Sequence, residues 1–388
     1  MLENIRVVDL SRGITGGLCT RILSDLGSEV IKIESKRGDF LHNNPVKVNG
    51  ISYLHAQMAC GKKSLWIDFS KRESIEIIKK LVKVSDVVVE NFRPGVLDSI
   101  GLGYNYLKEI NQKVILCSIT GFGQTGSEKN KPAFGPILHA YSGLTYSTSL
   151  SPSDLKEPAG FPYNIADTNG SLYAVISILF SIIERDKTGV GKEIDLSLLD
   201  CLFSVMDTII QRFIFTNGKE SKVGLGMESP LKTIDGFVCV YSMYKPNEIL
   251  KITERLDLSD KFSSTEKVVS NLKEFLEIQR EWAKSKTIKE VCDIFEKFDI
   301  PYSKVNTIAD IVNSPLIRER EMLVNMHIGD KETQIVNTPF KFSGNTIKPI
   351  NPPPFKGEHN LEVLSGILKF SKEEIENFIE RKVVLRSI

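Results

Sequence analysis

The stretch that decides the fold is IRVVDLSRGITGGLCTRILSDLGSEVIKIE, Ile5 to Glu34. Ile5–Leu10 is a short β-branched run, and Ser11–Gly17 is a glycine-rich turn. Leu18–Leu26 carries apolar residues at helical spacing and stops at Gly27, and Glu29–Glu34 is again β-branched. Strand, helix and strand within about 30 residues form a βαβ unit. The pattern recurs: Ser64–Asp68 reads as a strand, Arg72–Lys83 as an amphipathic helix, and Asp86–Glu90 and Lys113–Cys117 as further strands. Such alternation predicts an α/β fold with a Rossmann-like parallel sheet.

Further along, an apolar helix is expected over Ser171–Glu184, a strand over Glu193–Ser197 and another apolar helix over Leu202–Phe215. After a loop from Gly218 to Pro230 the texture changes. Gly236–Ser242 reads as a strand, and Lys261–Phe298 is highly charged and helical. These shifts place a large domain over 1–224, a smaller α+β domain over 225–325 and a C-terminal segment over 326–388, which a Pro-rich run, Lys348–Gly357, leads toward its helical end.

A chain of 388 residues with 41% hydrophobic and 26% charged residues has the composition of an ordinary globular protein. Fifty basic against 49 acidic residues leave a net charge of +1, which speaks against a nucleic-acid partner; a cationic ligand site has to be a local cluster. Glu3 and Arg6 interrupt any early apolar run, and the longest apolar run, Val175–Ile183, is about half a membrane span. With six scattered cysteines and no Cys-x-x-Cys pair, the expectation is a cytoplasmic protein without membrane attachment or disulfides. The five histidines are equally isolated, so no metal site is expected.

Gly121-x-Gly123-x-x-Gly126 follows a strand-like run and matches the dinucleotide fingerprint literally. The fingerprint needs a helix directly after it, whose N-terminus receives the pyrophosphate. Here Pro132, Gly135 and Pro136 forbid a regular helix, and no acidic residue ends a second strand near 141–152. The glycines therefore serve either as a flexible turn capping a strand or as a mobile loop over an active site.

Several segments together resemble a known family. They are Asp25–Glu34, Glu90–Gly95 with Gly101–Tyr104, Gly121–Gly126, Ala166–Gly170 with Arg185–Gly191, Thr233–Gly236, Ile300-Pro301 and Gly357–Asn360. In this order, from about residue 4 to about 365, they resemble the class III CoA-transferases: formyl-CoA, carnitine and bile-acid CoA-transferases, with α-methylacyl-CoA racemase as a relative. The resemblance implies a large Rossmann-like domain that binds CoA, a smaller domain, and an interlocked homodimer whose C-terminal segments return to the large domain. It implies transfer of CoA from an acyl-CoA to a carboxylic acid acceptor, with coenzyme A entering as substrate and no permanently bound cofactor.

Carried onto this sequence, the resemblance makes Asp167 the nucleophile, which forms an acyl-aspartyl anhydride and then an aspartyl-CoA thioester. It makes Gly121 and Gly123 part of a loop that shields these intermediates, and it expects the helix N-terminus to keep Asp167 ionised. Gly13, Ile14, Lys36, Arg37, Lys62, Asn91, Phe92, Arg93 and Lys131 become candidate CoA contacts, several of them at C-terminal strand ends where such sheets bind ligands. Read without the family, Asp167 is a helix N-cap, the cations are solvated charges, and His139 is a packed helix histidine. The departures are Ile14 and Ser99, where relatives carry a glutamine and an arginine, and Gly224-Leu-Gly226 in place of a tetraglycine lid. Phe134 stands where the racemase has its histidine. The competing readings are an acyl-CoA racemase of the same fold and a non-catalytic CoA-binding subunit.

Overall fold

The computed structural model describes residues 1–150, 157–219, 230–344, 347 and 351–386. Gly224 and Gly226 lie outside the described residues, as do the first residues of the Pro-rich run. The chain divides into two compact units: Met1–Ser142 with Pro162–Thr208 and Arg318–Ile388, and Gly143–Phe161 with Ile209–Ile317. The sequence put the divisions near 225 and 325. Packing divides the chain at 142/143, 161/162, 208/209 and 317/318, and position 325 falls within the strand Leu323–Ile328.

The larger unit is built on six parallel strands: β1 (Arg6–Asp9), β2 (Glu29–Glu34), β3 (Lys63–Trp66), β4 (Val87–Glu90), β5 (Ile115–Thr120) and β6 (Glu193–Ser197). Their spatial order is β3-β2-β1-β4-β5-β6, with Val8 opposite Ile31 on one side and Val88 on the other. This is the doubly wound order, and it reverses direction between β1 and β4. Adjacent residues Val7 and Val8 are both fully buried, as are Val88 and Val89, so both faces of the sheet are covered. The helix Arg72–Lys83 shows why the pattern was readable: Ile75, Ile78, Leu81 and Val82 bury one face, and Lys79 and Lys80 stay toward solvent.

The edge strand β3 does not end the hydrogen bonding. Ser64 N–H donates to His359 Nδ1 at 3.2 Å, and Trp66 N–H donates to Asn360 Oδ1 at 2.9 Å. Gly357 N–H donates to Ser64 Oγ, and Leu385 N–H to the Trp66 carbonyl. The Gly357–Asn360 motif thus satisfies an edge that would otherwise expose unpaired groups.

A 24-residue helix, Ile165–Thr188, precedes β6. A Cβ on Gly170 would fall 2.1 Å from Leu198 and 3.3 Å from Thr15, so the missing side chain lets this helix approach the turn after β1. The other side of the helix exposes Leu172, Ile176, Phe180 and Ile183, at 42, 50, 70 and 55%. The apolar run of this helix is therefore buried on one face only.

The smaller unit has an antiparallel sheet of Leu231–Lys232, Phe237–Val240 and Tyr302–Lys304. Its core is Phe262, Phe275 and Phe295. The single charged helical stretch expected over 261–298 is broken into Thr265–Ser270, Leu272–Ala283 and Ile288–Lys297, the last opened by a Thr287–Glu290 capping box.

Candidate active site

A cavity of about 440 Å³ opens at the C-terminal ends of the strands, beside the reversal between β1 and β4. The turn after β1 supplies Arg12, Gly13, Ile14 and Thr15; the turn after β4 supplies Asn91, Phe92 and Arg93; Gly121 follows β5. The wall is closed by Lys129, Lys131 and the start of the helix Gly135–Tyr141, and Asp167 reaches in from its own helix.

Asp167 is not the N-cap. The helix begins at Ile165 with Asn164 in the cap position, and Asp167 is its third residue, which turns the carboxylate toward the cavity. The Thr15 hydroxyl donates to Oδ1 at 2.5 Å. The other oxygen faces Gly135, where a Cβ would come within 2.7 Å of Oδ2. Burial raises the Asp167 pKa above the ordinary aspartate value; the Thr15 hydrogen bond, the charge of His139 and the backbone pull it back down.

Gly121 lines the cavity, and a Cβ there would lie 2.4 Å from that of Ala133, so only glycine allows the loop to fold back so closely. Gly123 does not line it. It is buried in a left-handed turn beside β6, where the next residue, Gln124, donates its N–H to Asp195. No helix follows before Gly135, so the literal dinucleotide motif lacks its anion site.

Among the candidate CoA contacts, Gly13, Ile14, Asn91, Phe92, Arg93 and Lys131 come together around the cavity. Asn91 spends its amide on the backbone of Arg12, accepting from its N–H at 2.8 Å and donating to its carbonyl at 2.7 Å. Gly13 N–H is held by the Asp39 carboxylate. Lys131 lies 4.8 Å from the Tyr141 ring centre and pairs with Glu128 at 3.1 Å. Arg12, Arg93 and Lys129 have no carboxylate partner among the described residues. Lys36 and Arg37 are exposed and outside the cavity; their neighbours Ser35 and Gly38 line a smaller hollow of about 70 Å³ with Phe69 and Phe92.

Lys62 is not at the cavity at all. It is 3% exposed, and its ammonium donates to Asp9 Oδ2, the Gly17 carbonyl and Thr20 Oγ1 at 3.0, 2.9 and 2.6 Å. An ammonium has three N–H donors, so none remains for a phosphate. Burial pushes the Asp9 carboxyl up, but Lys32 and Lys62 bring it down to about 2. The site residues that sequence reasoning missed are Arg12, Thr15, Lys129 and Gly135. Thr15 had a signal, since it stands in the first βα turn; Gly135 had none, because its role depends on the approach of a distant helix. No cluster of metal-ligating side chains occurs among the described residues.

The profile of CoA-transferase family III matches residues 2–360. The chain belongs to CoA-transferase family III. It is similar to the human succinyl-CoA:glutarate CoA-transferase, 28% identical over 99% of this chain and 90% of that one. It is also similar to the (R)-2-hydroxy-4-methylpentanoate CoA-transferase of Clostridioides difficile, 27% identical over 99% of both. A CaiB/BaiF family protein from Brucella suis shares the fold, with a TM-score of 0.81 and 27% identity over 94% of this chain and 98% of that one. This family III CoA-transferase acts on CoA thioesters, and the carboxylate, the unpaired cations and the side-chain-free wall have to be read in that light.

Proposed function

We propose that this enzyme moves CoA between two carboxylic acids with Asp167 as covalent carrier. The observation that carries the reading is the Asp167 carboxylate itself, held through one oxygen by Thr15 while the other faces a wall without a side chain at Gly135. The carboxylate attacks the thioester carbonyl, giving an acyl-aspartyl anhydride and the CoA thiolate. The thiolate attacks the aspartyl carbonyl, releasing the first acid and leaving aspartyl-CoA. The acceptor carboxylate attacks aspartyl-CoA, and the thiolate then takes the new acyl group from the second anhydride, which restores Asp167. Gly135 leaves room for the anhydride beside Asp167, and Gly121 lets the loop fold back onto Ala133 at the cavity wall.

Arg12, Arg93, Lys129 and Lys131 suit the phosphates of CoA, and the hollow between Phe69 and Phe92, with Lys36 and Arg37 at its rim, suits the adenine. CoA leaves as the thioester of the second acid, so the cycle needs no resident cofactor. The same reading makes the enzyme a cytoplasmic, interlocked homodimer in which a second copy covers the exposed stripe from Leu172 to Ile183.

Incubation with an acyl-CoA and hydroxylamine should leave a hydroxamate on Asp167, located by peptide mass spectrometry. Asp167→Ala should lower turnover by roughly a thousand-fold or more, because positioning cannot replace a covalent carrier. Full activity in that variant, or a hydroxamate on another residue, refutes the mechanism. CoA binding without turnover in the unsubstituted enzyme favours a non-catalytic subunit instead.

A further inference from the structure

We propose that His139 is a positioning residue for the nucleophile: its neutral imidazole caps the helix that carries Asp167. The helix Ile165–Thr188 has Asn164 at its cap position, but the Asn164 side chain makes no capping bond. The N–H of Ala166, the residue before Asp167, instead donates to His139 Nε2 at 3.1 Å. Ala166 is fully buried and His139 is 4% exposed, so water does not replace this acceptor. A buried helix N–H that loses its partner is costly, and the helix end shifts to find another.

His139 and Gly135 lie four residues apart on one short helix, and therefore on one face of it. That face meets Asp167 twice. Gly135 leaves space for its carboxylate, and His139 accepts from the N–H of Ala166, the residue before it. The two contacts together fix where Oδ2 points, and Thr15 fixes the other oxygen.

An imidazole nitrogen accepts a hydrogen bond only when it carries no proton, so the cap needs the tautomer protonated at Nδ1. Two helices pack against Gly135–Tyr141. Ile165–Thr188 brings Asp167, whose charge favours the imidazolium, and Leu198–Val205 brings Asp200 and Cys201, the thiol pushed up by burial and by the Asp200 charge. Burial dominates over Asp167 and lowers the His139 pKa, which keeps the ring neutral. As pH falls below the ordinary histidine value of about 6.5, the unfolded chain takes up a proton that the folded ring resists; stability declines until the ring itself protonates and the cap opens.

The inference rests on Asp167 being the nucleophile, and two variants test it. His139→Leu removes the acceptor and keeps the bulk. We expect kcat to fall ten- to a hundred-fold, as for a displacement of about 1 Å, with KM for acyl-CoA changed less than about twofold. His139→Gln supplies an amide oxygen that does not titrate. It should recover most of that loss at pH 7.5 and lack one acid limb of the kcat–pH profile, leaving the limb that belongs to Asp167. Wild-type kcat in His139→Leu, or an unchanged acid limb in His139→Gln, overturns the proposal. Hydroxamate trapping separates the failures: with Asp167 labelled, an indifferent His139 defeats this inference alone, whereas no label at Asp167 defeats the reading beneath it. If His139→Leu does not fold, the His139→Gln profile still decides.

Discussion

Gly135→Ala isolates the geometry at the Asp167 carboxylate. The new Cβ would stand 2.7 Å from Asp167 Oδ2, and ordinary contact begins near 3.4 Å, so the carboxylate has to retreat by about 0.7 Å. It cannot do so freely, since Oδ1 is held by Thr15 at 2.5 Å. Rotation breaks a hydrogen bond to a charged group, a loss of about 1.5–3 kcal/mol, or roughly ten- to a hundred-fold in rate. The known cost of misplacing a reacting atom by about 1 Å, near a hundred-fold, gives the same range. Fold stability should not suffer. Gly135 has no positive φ, and helix propensity favours alanine by up to about 1 kcal/mol. The expected result is a variant with wild-type melting temperature and CoA affinity but a kcat reduced ten- to a hundred-fold in a CoA-exchange assay read by mass spectrometry. Thr15→Val should fall in the same range, and the double variant should be no worse than either single one, because both remove one interaction. Wild-type kcat in Gly135→Ala, or additive losses in the double variant, would refute the reasoning.

The remaining predictions concern chemistry and assembly. A 2-methylacyl-CoA incubated in D2O without an acceptor acid should keep its configuration, because Phe134 at the cavity rim can neither give nor take a proton; deuterium entry with inversion at the turnover rate would place the enzyme on the racemase branch. Sedimentation should give a dimer of twice the 43.5 kDa chain that persists on dilution, and a stable, active monomer would remove the interlocked arrangement.

What could be read from the sequence follows the range of the forces involved. Strand and helix periodicity is local, so β1, β2 and the helix Arg72–Lys83 were visible within a residue or two. Cation roles were not. Lys62 has the sequence context of a ligand residue, yet its partner Asp9 lies 53 positions away, and only the folded sheet brings the two charges into contact. Asp167 was singled out through family order, but its register was misread: Asn164 and Asp167 both suit a helix cap, and only the observed helix start shows which one lies inside. Gly135 looked like a helix breaker before Pro136. Its requirement comes from a carboxylate 32 positions later, which no local pattern encodes. His139 read correctly as a packed helix residue, but packing does not reveal that its acceptor nitrogen meets the one helix end that matters.

The fold and the chemistry also have separate origins within the chain. The strand order and the crevice beside its reversal are those of dinucleotide-binding sheets, and the turns after β1 and β4 line the crevice as they do there. In such sheets the glycine turn and helix N-terminus after the first strand bind a pyrophosphate and react with nothing. Here the three-glycine sequence has moved to the end of β5, where no helix follows it, and the first turn contributes Thr15 to a carboxylate instead. Asp167, Gly135 and His139 all lie between β5 and β6. One crossover therefore supplies the proposed nucleophile, the glycine beside it and the histidine at its helix end, while the crevice supplies walls and cations. A substitution that disturbs the crossover alone should change kcat, and one among the crevice's cations should change KM, which is the division that the Gly135 and Arg93 positions allow to be measured in one protein.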